Sequence, residues 1–193
     1  ATLGVAALAL PVDAGSARLV WNTTKSAPAG LYTIDRERWG LGDRVAVLPA
    51  DTLAAELARR GVLPRGKLLI KRVVAVAGDS VCRRDGAVLV NDEIVAQAKS
   101  NDSTGEPLPS WQGCTSLNEG QVFLLGDTAG SYDGRYFGVT RASEIIGRAD
   151  LLLGVDVLEA ARAIDPREQF RVASASRTCA VINLHKQPTV YTL

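Results

Sequence analysis

Three short stretches hold the side chains with the greatest chemical potential. In NTTKSAPAGLY, residues 22–32, Ser26 lies two residues before Pro28 in a turn closed by Gly30. So constrained a loop suits either a simple turn residue or a nucleophile. A serine nucleophile needs a base, and the usual one is missing: the only histidine, His185, lies far along the chain, and no GxSxG occurs. Lysine is the remaining candidate. Lys71 interrupts an apolar run, with Leu68, Leu69 and Ile70 before it and Val73 to Ala77 after it. Desolvation in such a strand lowers an amine's pKa, and the neutral amine can accept a serine proton. From the ordinary lysine value of about 10.4, work near neutrality asks for a fall of roughly 2–3 units. The plainer reading of Lys71 alone is an edge-strand lysine that snorkels to water. Arg72 faces the other way, toward solvent or a carboxylate.

The third stretch is GDTAGSYDGRYFG, residues 126–138. Its glycines, aspartates and arginine suggest a fixed loop in which Asp133 and Arg135 pair bidentately. Ser131 is then free to hydrogen-bond the lysine and orient it. A polar surface turn is the bland alternative.

Other chemistries fit poorly. GVLPRGKL, residues 61–68, matches GxxxxGK, but Leu68 stands where a hydroxyl should reach a metal ion. The stretch also follows a helix and precedes a strand, the reverse of a phosphate loop, so Pro64 and Arg65 read as a turn. With three cysteines, one histidine and no CxxC, a zinc site is not expected, nor is any other metal or cofactor. Cys82 and Cys114 flank a polar segment and either close it as a disulfide or stay reduced; a bond would imply an oxidising compartment. Lys and Arg number 22 against 21 Asp and Glu, so no basic footprint for nucleic acid exists.

The elements that must position these groups are mostly strands. GLYTI, DRVAVLP, the run through Lys71 and QVFLLGD read as β. AVLVNDEIV is a hairpin with Asn91–Asp92 at its tip. DTLAAELARRG is the clearest helix, with Asp51 as N-cap, Leu53 and Leu57 on one face, and Gly61 just past its end. Residues 98–120 read as a polar surface excursion, and VLEAARAI near 157–164 as a short helix. At 193 residues, 47% of them hydrophobic, the chain suffices for one domain with an inserted lobe. The expected fold is mostly β, a sheet curled on itself with one or two short helices. The uncharged start, Ala1 to Val12, is too short to span a bilayer. It is either a core element or the distal end of a membrane helix.

In order along the chain, SAPAGLY, IKRVVAVAGDSV and GDTAGSYDGRYFG resemble the three boxes of the signal peptidase I family of Ser-Lys membrane proteases. The likeness is nearest to its conjugative-transfer branch, the TraF-like peptidases. The resemblance covers roughly residues 23–147. It implies Ser26 as nucleophile, Lys71 as general base, Ser131 as the serine that hydrogen-bonds the lysine, and Asp133 and Arg135 as a supporting pair. It also implies an oxyanion hole from the Ser26 backbone N–H and the Thr24 hydroxyl. The β-rich core with an inserted lobe would face the periplasm, anchored in the bacterial inner membrane. Residues 1–18 then read as an anchor remnant, 19–155 as the peptidase domain with its lobe over about 82–119, and 156–193 as a tail of open role. The implied substrate is an exported precursor, a conjugative pilin subunit above all, cleaved after a small residue. Alternatives are a housekeeping signal peptidase or a non-catalytic β module of a secretion apparatus; a self-cleaving repressor would need a DNA-binding segment before Ser26. Lys25, and Thr128 where many members carry asparagine, depart from the family's pattern.

Overall fold

The computed structural model describes residues 19–36 and 38–153. The expected anchor remnant, and the tail with its short helix, Cys179 and His185, lie outside these residues. The chain begins with strands β1 (Leu19–Asn22), β2 (Gly30–Asp35) and β3 (Arg44–Val47), then helix α1 (Asp51–Arg59) and β4 (Leu69–Ala75). It continues through β5 (Ser80–Arg84), β6 (Ala87–Val90), β7 (Glu93–Gln97) and β8 (Gly113–Ser116). It returns in β9 (Gln121–Leu125), a one-turn helix α2 (Gly134–Phe137), β10 (Thr140–Arg141) and β11 (Ile145–Leu153).

Two antiparallel sheets result. One has seven strands in the order β1-β2-β11-β3-β4-β9-β10; the other has four, β7-β6-β5-β8. Register shifts in β4, at Val73/Ala75, and in β11, at Ile145/Gly147 and Leu151/Leu153, act as bulges. Bulges bend strands and increase twist, and the larger sheet curls accordingly. The fold is therefore the mostly β, curled architecture read from the sequence.

Strand β4 shows why the large sheet holds the centre of the molecule. Its side chains alternate between faces, and both faces are covered. Leu69 and Val73 join a core with Val45, Val47 and Leu57 of α1, while Ile70 packs on the other side with Tyr32, Ala46 and Ala27. A third core, with Val81, Val88 and Val90 against Ala75, Phe123 and Leu125, fastens the small sheet to the large one.

Several local readings need correction. Asp51 is not the N-cap: Ala50 holds that position without a side-chain cap bond, and Asp51 opens the helix, where its charge still faces the positive end of the dipole. Residues 98–120 are not simply an excursion, because β8 lies within them and pairs with β5. Every residue of β8 is exposed, so nothing in its composition alternates. The loop of GDTAGSYDGRYFG contains α2, capped by the Asp133 carboxylate accepting from Arg135 N–H. The GxxxxGK-like stretch is a turn between α1 and β4, with Lys67 N–H donating to the Pro64 carbonyl at 3.3 Å. The Asn91–Asp92 hairpin forms, both residues having positive φ as a two-residue turn requires.

Candidate active site

Ser26 sits in the loop that joins β1 to β2, and Asn22, the last residue of β1, organises that loop. The Asn22 amide is buried and its Nδ2 donates to the carbonyls of Thr24, Ala27 and Pro28 at 3.0–3.1 Å. Its Oδ1 accepts from the Thr24 N–H at 3.1 Å and from the Thr24 hydroxyl at 2.7 Å. Tyr32, fully buried, clamps the Pro28 carbonyl through its hydroxyl at 2.8 Å. From the other side, Asp127 N–H donates to the Ser26 carbonyl at 2.8 Å. The loop is thus held at both ends by hydrogen bonds that a mobile turn would lack. Ser26 Oγ lies 3.0 Å from Thr24 Oγ1, and among the described residues no acceptor takes the Ser26 backbone N–H.

Lys71 stands at the middle of β4, opposite Val45 of β3, and is only 2% exposed. Its Nζ donates to Ser131 Oγ at 3.0 Å. Burial is the main reason its pKa falls to about 8; Asp133 pulls it back up, Arg135 opposes Asp133, and Asp127 adds a smaller upward pull. Asp133 and Arg135 act in opposite senses, and desolvation remains the largest influence. About one Lys71 in five is then neutral at pH 7.4, against about one in a thousand for an exposed lysine. Arg72, on the opposite face, pairs with Asp127 at 3.1 Å and donates to the Gly42 carbonyl.

Ser131 is held by the segment that follows β9. Asp133 is fully buried and accepts through both oxygens: Oδ1 from Arg135 Nε at 2.9 Å, Oδ2 from Arg135 Nη2 and the Gly126 N–H, both at 2.7 Å. Arg135 then donates to the carbonyls of Ala129 and Thr128. One ion pair thereby staples the loop that presents Ser131. Gly126 is required by close approach, since a Cβ there would come within 2.0 Å of Ser131 Oγ.

These elements enclose a cleft of about 320 Å³ lined by Ser26, Lys71 and Ser131, with Thr24 and Lys25 at one side. Val62, Leu63, Leu68, Leu69 and Tyr132 form its apolar wall. The residues named from the sequence therefore meet in one place, with Asp133 and Arg135 directly behind Ser131. Among the described residues no hydrogen bond joins Ser26 to Lys71. The Thr24 hydroxyl, expected to face an oxyanion, is instead donated to Asn22. Asn22, Gly126 and Asp127 escaped the sequence reading, for each acts through a hydrogen bond in which a backbone group takes part, and residue type alone does not signal that. Cys82 and Cys114 face each other across β5 and β8 and form a disulfide. Among the described residues no cluster of three or more His, Cys, Asp or Glu could hold a metal, and no helix is long and apolar enough to cross a membrane.

Comparison with known proteins bears on this site. A family model described as signal peptidase, peptidase S26, matches residues 3–153. The plasmid transfer protein TraF of Escherichia coli is 36% identical over 154 residues, covering 74% of this chain and 86% of that protein. The conjugal transfer protein TraF of Agrobacterium fabrum is 34% identical over 138 residues, 66% of this chain and 78% of that one. Signal peptidase I V of Bacillus subtilis is 30% identical over 95 residues, 44% of this chain and 56% of its own length. A solved signal peptidase I from Enterococcus faecalis aligns with 22% identity and a TM-score of 0.36, over 59% of this chain and 98% of that one. The matched span contains Ser26, Lys71 and Ser131 alike, and the chain belongs to the signal peptidase family, peptidase S26.

Proposed function

We propose that this protein is a Ser-Lys endopeptidase that removes the leader from exported precursors, a conjugative pilin subunit foremost. One observation carries the reading: a lysine buried until its pKa nears 8 lines the same cleft as a serine in a braced loop. Ser26 Oγ attacks the carbonyl after a small residue, and neutral Lys71, oriented by Ser131, takes its proton. The Ser26 N–H stabilises the oxyanion, joined by the Thr24 hydroxyl once it turns away from Asn22. Lys71 returns the proton to the departing amine, and water hydrolyses the ester. In the conjugative role an internal amine of the pilin can intercept that ester and close the chain. The similarity to TraF proteins supports the conjugative substrate. The disulfide suits an oxidising compartment, which supports a site facing the periplasm from the inner membrane.

Cleavage of a pilin precursor and of unrelated leader peptides, followed by mass spectrometry, tests the reading. Ser26→Ala and Lys71→Ala should each abolish cleavage while the near-UV circular dichroism stays native. The wild-type rate should rise with pH and reach half its plateau near pH 8, where Lys71 loses its proton. A rate flat from pH 6 to 10, or turnover retained in either variant, would refute the dyad. Equal cutting of every leader would point to a housekeeping peptidase.

A further inference from the structure

The hydrogen bonds around Asn22 determine where the hydroxyl protons of Thr24 and Ser26 point. The Asn22 amide cannot be turned over. Its Nδ2 faces three carbonyl oxygens, which only accept, and its Oδ1 faces the Thr24 N–H, which only donates. Oδ1 is therefore also the acceptor at 2.7 Å from Thr24 Oγ1, and the single Thr24 hydroxyl proton is committed to it. The contact of 3.0 Å between Thr24 Oγ1 and Ser26 Oγ needs a proton as well, and only Ser26 has one left to supply. Meanwhile Lys71 Nζ is directed at Ser131 and not at Ser26.

We propose that Asn22 is a positioning residue for the nucleophile. By taking the Thr24 proton it makes Ser26 the donor of the Thr24–Ser26 hydrogen bond. The lone pairs of Ser26 Oγ then stay clear of any donor until a carbonyl arrives, and as Oγ attacks, its proton turns from Thr24 to neutral Lys71. Without the Asn22 acceptor, Thr24 would donate to Ser26 and tie up the electrons that must attack. The inference rests on the Ser-Lys reading above and assigns a role to a residue outside the dyad and its oxyanion hole. Once an oxyanion forms, its charge outbids the neutral amide oxygen, and the Thr24 proton swings across. Asn22 thus sets the sense of the Thr24 hydroxyl before attack and releases it once the oxyanion forms.

A double-mutant cycle on the full-length protein tests this. Asn22→Ala should lower kcat about tenfold, the worth of one hydrogen bond, with KM little changed. Thr24→Val should lower kcat by about 10²–10³, as loss of an oxyanion donor does. The loss from Asn22→Ala should be smaller in the Thr24→Val background than in the wild type, because the part that acts through that hydroxyl is already gone there while the Nδ2 braces are lost in both. Losses that multiply, or an unaltered kcat in Asn22→Ala, would show a mere brace for the loop and overturn the proposal. Neutron diffraction on the resting wild-type protein keeps the question open to test even if Asn22→Ala does not fold. Deuterons should lie on the lines from Ser26 Oγ to Thr24 Oγ1 and from Thr24 Oγ1 to Asn22 Oδ1; the reverse sense would overturn it. Ser26→Ala run in the same assay separates the two ideas. Residual turnover there undoes the Ser-Lys reading, whereas an inert Ser26→Ala beside multiplicative Asn22 and Thr24 losses undoes only the role of Asn22.

Discussion

The seven-stranded and four-stranded sheets are both wholly antiparallel, yet they bury themselves in opposite ways. In the large sheet β4 is covered on both faces, and even its lysine is 2% exposed. In the small sheet β8 is exposed along its length, and Ile94 on the edge strand β7 is 70% exposed. A covalent bond between Cys82 and Cys114 and one shared apolar core hold what packing on two faces holds elsewhere. The candidate chemistry lies where burial is deepest, and for a physical reason. Burial denies an ammonium the solvation of water and so brings the loss of a lysine's proton nearer to neutrality. Ion pairs follow the same division. Asp133 and Arg135 are closed off from solvent, while Arg59, Glu56 and Glu106, which link α1 to the small sheet's long connection, stay partly wet. In that wet network Arg59 and then Arg60 hold the Glu56 carboxyl down at about 2.

Four experiments would break or sharpen this contrast. Asp133→Asn should have the largest effect, a loss of about 3–5 kcal/mol in denaturant unfolding, because it leaves the Arg135 charge buried without its partner. It should also move the midpoint of the rate profile below pH 8, since Asp133 is what raises the Lys71 pKa and Arg135 lowers it. Midpoint and stability both unchanged would show that the pair is not the staple described here. Replacing Cys82 and Cys114 together by serine opens a link across 32 residues. The expected cost is about 3–4 kcal/mol in the chain-entropy model, with kcat of the folded protein kept. A collapse of kcat at unchanged stability would tie the small sheet to the chemistry after all.

Lys71→Met should act in the other direction. The folded state binds the Lys71 proton less tightly than the unfolded chain does, so the lysine penalises folding below pH 8 and the penalty fades as pH climbs toward 10.5. The variant should therefore be more stable by up to about 3 kcal/mol at pH 7 and by little at pH 10.5. A variant less stable at pH 7 would mean that the ammonium has a partner strong enough to offset its burial. Smallest of all should be Glu106→Gln at the rim, which should move Tm by about 2 °C or less in a thermal melt. A larger shift would make the contact between α1 and the small sheet a structural hinge of the molecule.

Much of the large sheet was legible because its strands alternate apolar and polar residues or run apolar through a covered interior. GLYTI, DRVAVLP, the run around Lys71 and QVFLLGD all show this; in the small sheet the two-residue turn at Asn91–Asp92 was legible by its turn chemistry instead. Strand β8 was illegible for the opposite reason: with both faces in water it has no pattern to read, and its partner β5 lies some thirty residues back. Strand β1 was missed as well, being four residues long with the apolar Leu19 and Trp21 facing outward. The single turn of α2 is too short to show a period. Within the site, Ser26, Lys71 and Ser131 were found by type, loop chemistry and resemblance. Asn22 was not, because an asparagine among threonines signals nothing until the carbonyls of Thr24, Ala27 and Pro28 close around it.

By itself, then, the sequence determined most strands of the large sheet and that one amine would be drawn into an apolar strand, for both follow from the local spacing of side chains. Only the tertiary structure decided that residues 26, 71 and 131 share a cleft, how deeply the amine is shielded, and that the Thr24 hydroxyl is turned to Asn22. Desolvation and hydrogen-bond direction depend on neighbours brought from distant parts of the chain, and no local pattern encodes them.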